Sequence, residues 1–105
     1  MYTLDHVSDR LFGRTLRLRV ARWVLLSEPT FFQSQAALGI RYSASEVTKE
    51  LDRFVDLGML IKIEPSAGDR RQYYTRVDDC PLWDIVRTAL RAIGEESAKL
   101  SEESN

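Results

Sequence analysis

Apolar residues recur at spacings of three and four between Asp9 and Leu26, through Leu16, Val20, Trp23 and Val24, while Arg10, Arg14, Arg17 and Arg22 fall on other faces. The spacing predicts a helix over 9–26. Ser27-Glu28-Pro29 ends it, because proline has no amide to donate and disfavours helical geometry at the residue before it. Thr30-Phe31-Phe32 reads as a short extended piece. Ser34 to Leu38 reads as a short helix, with Ser34 as its cap and Gly39 placed to end it.

The strongest local signal follows. Ser43-Ala44-Ser45-Glu46 has the spacing of a capping box, so a helix starts at Ser43 or just after it. Val47, Leu51 and Phe54 then fall at i, i+4 and i+7, with Val55 on the flank, and Gly58 stops the helix. From Met59 the period becomes two: Met59, Ile61 and Ile63 lie on one side, Lys62 and Glu64 on the other. Pro65 to Asp69 is a turn cluster, after which Arg71, Tyr73, Thr75 and Val77 alternate with Arg70, Gln72, Tyr74 and Arg76. That pattern is a β-hairpin over 59–77 with a basic returning strand. Tyr73 and Tyr74 point to opposite faces, one packed and one exposed. Leu82, Val86, Ala89, Leu90 and Ile93 give a last helix over 81–99, with Pro81 in its first turn and a polar frayed tail over 100–105.

This order of elements makes an α+β chain, mostly α, and 105 residues suffice for one domain. The net charge of −1 conceals a division. Residues 1–77 hold twelve Lys/Arg against nine Asp/Glu, whereas 78–105 hold three against seven. Such a division permits a basic working face beside an acidic tail. Twelve of the fifteen cations are arginine, the side chain suited to forked contacts with phosphate or carboxylate.

Two helices joined by a turn and followed by a basic hairpin place the second helix to enter a DNA major groove. Here the sequence resembles the winged helix-turn-helix regulators of the MarR and ArsR kind. The resemblance rests on Leu38-Gly39-Ile40, on the run from Ser45 through Leu51 and Leu57-Gly58 to Leu60, and on Gly68-Asp69-Arg70-Arg71-Gln72-Tyr73-Tyr74. It covers residues 30–78 by motif and the flanking helices by order. It implies a three-helix core, a hairpin wing and an extra C-terminal helix, in a dimeric regulator that binds double-stranded DNA. Ser45, Thr48 and Lys49 would then face the groove, Arg53 would reach phosphate, and Arg70 and Arg71 would border the minor groove. The connection Arg41-Tyr42-Ser43-Ala44 reads as about two residues longer than usual, which puts Arg41 and Tyr42 within reach of DNA as well. Glu50 and Asp52 must point away from phosphate, and Asp69 is a local partner for the wing arginines.

Other chemistry is thin. There is no phosphate-binding glycine loop, no G-x-S-x-G and no H-E-x-x-H, so catalysis is not expected. One cysteine, Cys80, and one histidine, His6 in the first mobile residues, make neither an internal disulfide nor a four-ligand metal site, and no cofactor is expected. Trp23 and Trp83 sit at apolar helix positions as core or dimer contacts. The longest apolar run, Trp23 to Leu26, is far below the roughly 20 residues of a membrane helix, so a cytoplasmic protein is expected. Homodimerisation is expected through the N- and C-terminal helices, whose apolar residues exceed what so small a chain can cover. The competing reading is a winged-helix adaptor that binds protein, favoured by the near-neutral charge and by the carboxylates Glu46, Glu50, Asp52 and Asp56. A DNA-binding accessory of replication or plasmid partition shares the features of the first reading.

Overall fold

A computed structural model describes residues 3–94, an α+β arrangement that is mostly helical. Among the described residues it has five helices and one three-stranded antiparallel sheet. The helix expected over 9–26 is two helices, α1 (Leu4–Phe12) and α2 (Thr15–Leu26). Gly13 separates them at φ 84°, a left-handed conformation that glycine adopts without a Cβ penalty. Thr3 caps α1 by accepting from the His6 amide, so His6 lies inside a helix. The first turn of α2 has no cap of its own side chain. Buried Ser8 of α1 does that work: its hydroxyl donates to the Arg14 carbonyl and accepts from the Leu18 amide.

α2 is the central helix, burying Leu16, Leu18, Val20, Ala21, Val24 and Leu25. Its C-terminal carbonyls are received by Arg76, whose guanidinium donates to Val24 at 2.6 Å and to Leu25 and Ser27 at 3.3 Å. After Pro29 comes β1 (Thr30–Phe32), which leads directly into α3 (Gln33–Ile40). Phe32, not Ser34, is the residue before the first turn of α3, and its amide donates to Gln35 Oε1.

Gly39 does not end α3. The helix runs one residue further, to a left-handed Arg41 at φ 64°. Gly39 serves packing, since a Cβ there would overlap the indole of Trp23, which is held edge-on against Phe31 at 5.1 Å. Gly39→Ala is therefore expected to destabilise by about 1–3 kcal/mol despite alanine's better helix propensity. In a Trp23→Leu background the same change should be neutral or stabilising, which a double-mutant cycle by thermal unfolding reads directly.

The connection Arg41–Ser43 is three residues long, a usual helix-turn-helix length, because α3 extends past Leu38. α4 (Ala44–Asp56) starts at Ser43, whose hydroxyl accepts from the Glu46 amide at 3.3 Å. The reciprocal half of the expected capping box is absent, because the Glu46 carboxylate turns to Arg14 and Lys49. After Gly58, at φ 78°, come β2 (Leu60–Ile63) and β3 (Tyr73–Arg76). Strand order is β1-β3-β2, with Tyr74 of β3 opposite Phe31 on one side and Lys62 on the other. That register fixes the inner face as Phe31, Leu60, Lys62 and Tyr74. Ile61 and Ile63 are consequently exposed, whereas the buried residues of this stretch are Met59 and Leu60.

α5 (Leu82–Ile93) stops at Gly94, φ 90°, short of the expected 99. The remainder of that stretch and the tail over 100–105 lie outside the described residues. α5 buries Trp83, Val86 and Leu90, and the Trp83 indole donates to the Met59 carbonyl at 3.1 Å. Together α2, the inner faces of α3, α4 and α5, and the sheet enclose one core.

Candidate nucleic-acid interface

The face that α4 shows to solvent is decided by where its carboxylates go. Val47, Glu50, Leu51 and Phe54 form the buried side. Glu50 is wholly buried, and three guanidinium groups surround it: Arg17 at 2.8 Å, Arg53 at 2.7 Å and Arg14 at 3.2 Å. Arg14 and Arg17 come from the start of α2, and Arg17 also donates to the Phe12 carbonyl at the end of α1. A carboxylate removed from water is tolerable only with such pairing and hydrogen bonding. The Arg14 hydrogen bond, followed by that of Lys49, holds the Glu46 carboxyl below its usual range. The Glu46 hydrogen bond, with Glu50 close by, in turn raises Arg14.

Asp52 is held on the opposite flank. It accepts from the Tyr74 hydroxyl at 3.2 Å and lies 3.5 Å from Lys62 Nζ, so α4 is tied to the inner face of the sheet. Burial, followed by the neighbouring Asp52 carboxylate, raises the Tyr74 phenol well above its ordinary value. A group whose pKa is raised by folding contributes stability that is complete below its unfolded pKa, about 10 for tyrosine, and is lost as pH rises through the folded value. Wild-type stability should thus fall above about pH 10, and Tyr74→Phe should flatten that fall. Urea unfolding of both proteins across this range checks it; parallel curves would contradict it.

With Glu46, Glu50 and Asp52 engaged elsewhere, the first half of α4 presents Ser45 and Lys49 outward. The Lys49 side chain is 61% exposed, with Glu46 3.3 Å away. Thr48 is half-buried, and its hydroxyl is taken up by the Ala44 carbonyl at 2.7 Å. Arg53 is half-exposed but paired with Glu50. Asp56 is exposed near the C-terminal end. In the turn, Arg41 and Tyr42 are exposed. Arg41 occupies the left-handed region that costs a side chain about 1 kcal/mol relative to glycine.

The hairpin arginines separate in role. β3 begins at Tyr73, so Arg70 and Arg71 belong to the loop and not to the strand. Arg71 grips Asp69 through two side-chain hydrogen bonds of 3.0 and 3.1 Å and lies over Phe32 and Tyr73, 5.0 and 5.4 Å from their centroids. Its side chain, then its backbone amide, holds the Asp69 carboxyl down at about 2. Arg71 is thus engaged with the outer face of the sheet, whereas Arg70 is exposed. The fold brings Arg41, Tyr42, Ser45 and Lys49 onto the turn and the first half of α4. Sequence reasoning missed Lys62, whose alternation with Ile61 and Ile63 was the available signal, and Arg14 and Arg17, for which it offered none.

No protein-family model, curated protein or solved structure matches the chain.

Away from this face, α1 and α5 leave apolar side chains uncovered. Leu11 is 71% exposed, Ile85 53% and, at the end of α4, Leu57 58%. A shallow cleft lined by Phe12, Leu57, Leu82 and Ile85 joins these elements. Cys80 is a half-buried free thiol. Among the described residues no group of three His, Cys, Asp or Glu is placed to hold a metal ion, and no helix is long and apolar enough to cross a membrane.

Proposed function

We propose that the chain is a winged helix-turn-helix protein that binds double-stranded DNA as a homodimer and regulates transcription. In this reading α3, the three-residue turn and α4 are the helix-turn-helix, and the β2–β3 hairpin is the wing. The observation that carries it is the inward turn of Glu50, which, with Glu46 and Asp52 held at the flanks, leaves Ser45 and Lys49 at the end of α4 where such helices touch base edges. Arg41 and Arg70 supply further contacts to the phosphate backbone, and Tyr42 flanks them. Arg53 reaches phosphate while paired with Glu50, and Arg71 stiffens the wing.

The exposed Leu11, Leu57 and Ile85 support self-association through α1 and α5, since isolated apolar side chains are ordinary but a joined seam of them is an interface signal. Two copies related by a twofold axis present two α4 helices to half-sites about one helical turn apart, or a multiple of it. Selection of bound fragments from a random duplex pool tests the reading. The expected product is an inverted repeat with that spacing, bound by a species that light scattering reports as a dimer. Recovery of no enriched sequence by a well-folded protein would refute it.

A further inference from the structure

One ion pair at the exposed start of α4 is held from outside its own helix. Glu46 Oε1 lies 3.3 Å from Lys49 Nζ, while Oε2 accepts from Arg14 at 2.8 Å. Arg14, the residue before α2, is itself anchored on buried Glu50 at 3.2 Å, so a second element fixes where the Glu46 carboxylate sits. Held below its usual range by Arg14 and then by Lys49, that carboxyl is ionised near neutrality and can only accept hydrogen bonds. Its side chain is 33% exposed and that of Lys49 61%, so both reach the outer face of α4. Four cations, Arg14, Arg17, Lys49 and Arg53, stand around two carboxylates, Glu46 and Glu50. The cluster is therefore net positive, and Glu46 can approach a polyanion without net repulsion.

The pair sets one acceptor beside one donor, 3.3 Å apart. The major-groove edge of a C·G base pair is the complement: cytosine N4 offers a donor next to guanine O6, an acceptor, the two joined by a base-pair hydrogen bond of about 2.9 Å. Guanine N7 adds a second acceptor for the ammonium. We infer that, within the DNA-binding reading on which this rests, Glu46 and Lys49 together read one C·G pair in each half-site, Glu46 accepting from cytosine N4 and Lys49 donating to guanine O6 and N7. An A·T pair also sets a donor, adenine N6, beside an acceptor, thymine O4. There the ammonium finds one acceptor instead of two and meets the thymine methyl. Glu46 is thus a specificity-determining residue and not merely a carboxylate tolerated at the interface.

Selection from a random duplex pool by the wild type should return a C·G pair at one position of each half-site. In one half-site that cytosine is then replaced by the 2-pyrimidinone deoxynucleoside, which lacks the N4 amino group. Affinities for both duplexes are measured with the wild type, Glu46→Ala and Glu46→Gln, each shown to fold by thermal unfolding. Loss of the amino group should weaken the wild type about tenfold, weaken Glu46→Gln less and leave Glu46→Ala unaffected. Comparing the proteins on the same two duplexes cancels any weakening of the base pair itself. Mixed-sequence duplex should meanwhile bind Glu46→Ala more tightly than the wild type, because a negative charge has gone. Equal weakening of wild type and Glu46→Ala, or enriched half-sites without a C·G pair, would overturn the inference and leave the DNA-binding reading standing. No enriched sequence and no affinity for duplex would remove both.

Discussion

Replacing Glu50 with alanine is expected to lower the stability of the fold by about 3 kcal/mol, because removing one partner of a buried ionic cluster leaves the others without compensation. Three guanidinium groups converge on that carboxylate, and two of them, from Arg14 and Arg17, are themselves mostly withdrawn from water. Arg17→Ala should cost less, since Arg14 and Arg53 would still neutralise Glu50. Urea unfolding of the three proteins gives the order. A loss in Glu50→Ala below about 1 kcal/mol would mean that the arginines simply rehydrate, as partners at a surface pair do. The cluster joins the end of α1, the start of α2 and the middle of α4, so loss of Glu50 should also loosen the pitch of α4 against the N-terminal helices.

The second large effect concerns binding. Lys49→Ala is expected to weaken the selected duplex by about 1–3 kcal/mol per half-site where Lys49 reads a base edge. Its stability should be nearly unchanged, because its partner Glu46 forms an exposed pair, of a kind that contributes little. Arg70→Ala should instead weaken all sequences alike and make the logarithmic salt slope shallower by about 1, the signature of a phosphate contact. Arg71→Ala differs from both: it frees Asp69 and uncovers Phe32 and Tyr73, so the hairpin loop should lose order. Full affinity and unchanged specificity in Lys49→Ala would remove α4 from the interface.

Much of this arrangement was legible in the sequence where the signal was local. Ser43 and the apolar spacing of Val47, Leu51 and Phe54 locate α4 because a cap and a buried stripe are properties of neighbouring residues. The division of Tyr73 and Tyr74 between two faces followed from alternation alone. Features that depend on distant partners were not legible. Gly39 reads as a helix stop until the Trp23 ring is known to lie against it, and the turn after α3 then looks too long. The break at Gly13 is sealed by Ser8 reaching across to α2, a tertiary contact. Glu50 reads as a liability on a DNA-facing helix, whereas its burial depends on arginines more than thirty residues earlier. Thr30–Phe32 reads as extended, but only pairing with β3 makes it a strand.

The central claim is that the exposed start of α4 and the adjoining hairpin meet a duplex. Equilibrium binding to mixed-sequence duplex DNA across a range of salt concentrations tests it most directly. A dimer neutralising about six phosphates should show log affinity falling with log salt at a slope near −5. Absence of measurable affinity at low salt, and hence of any such slope, would contradict the account and favour a protein-binding adaptor built on the same helices.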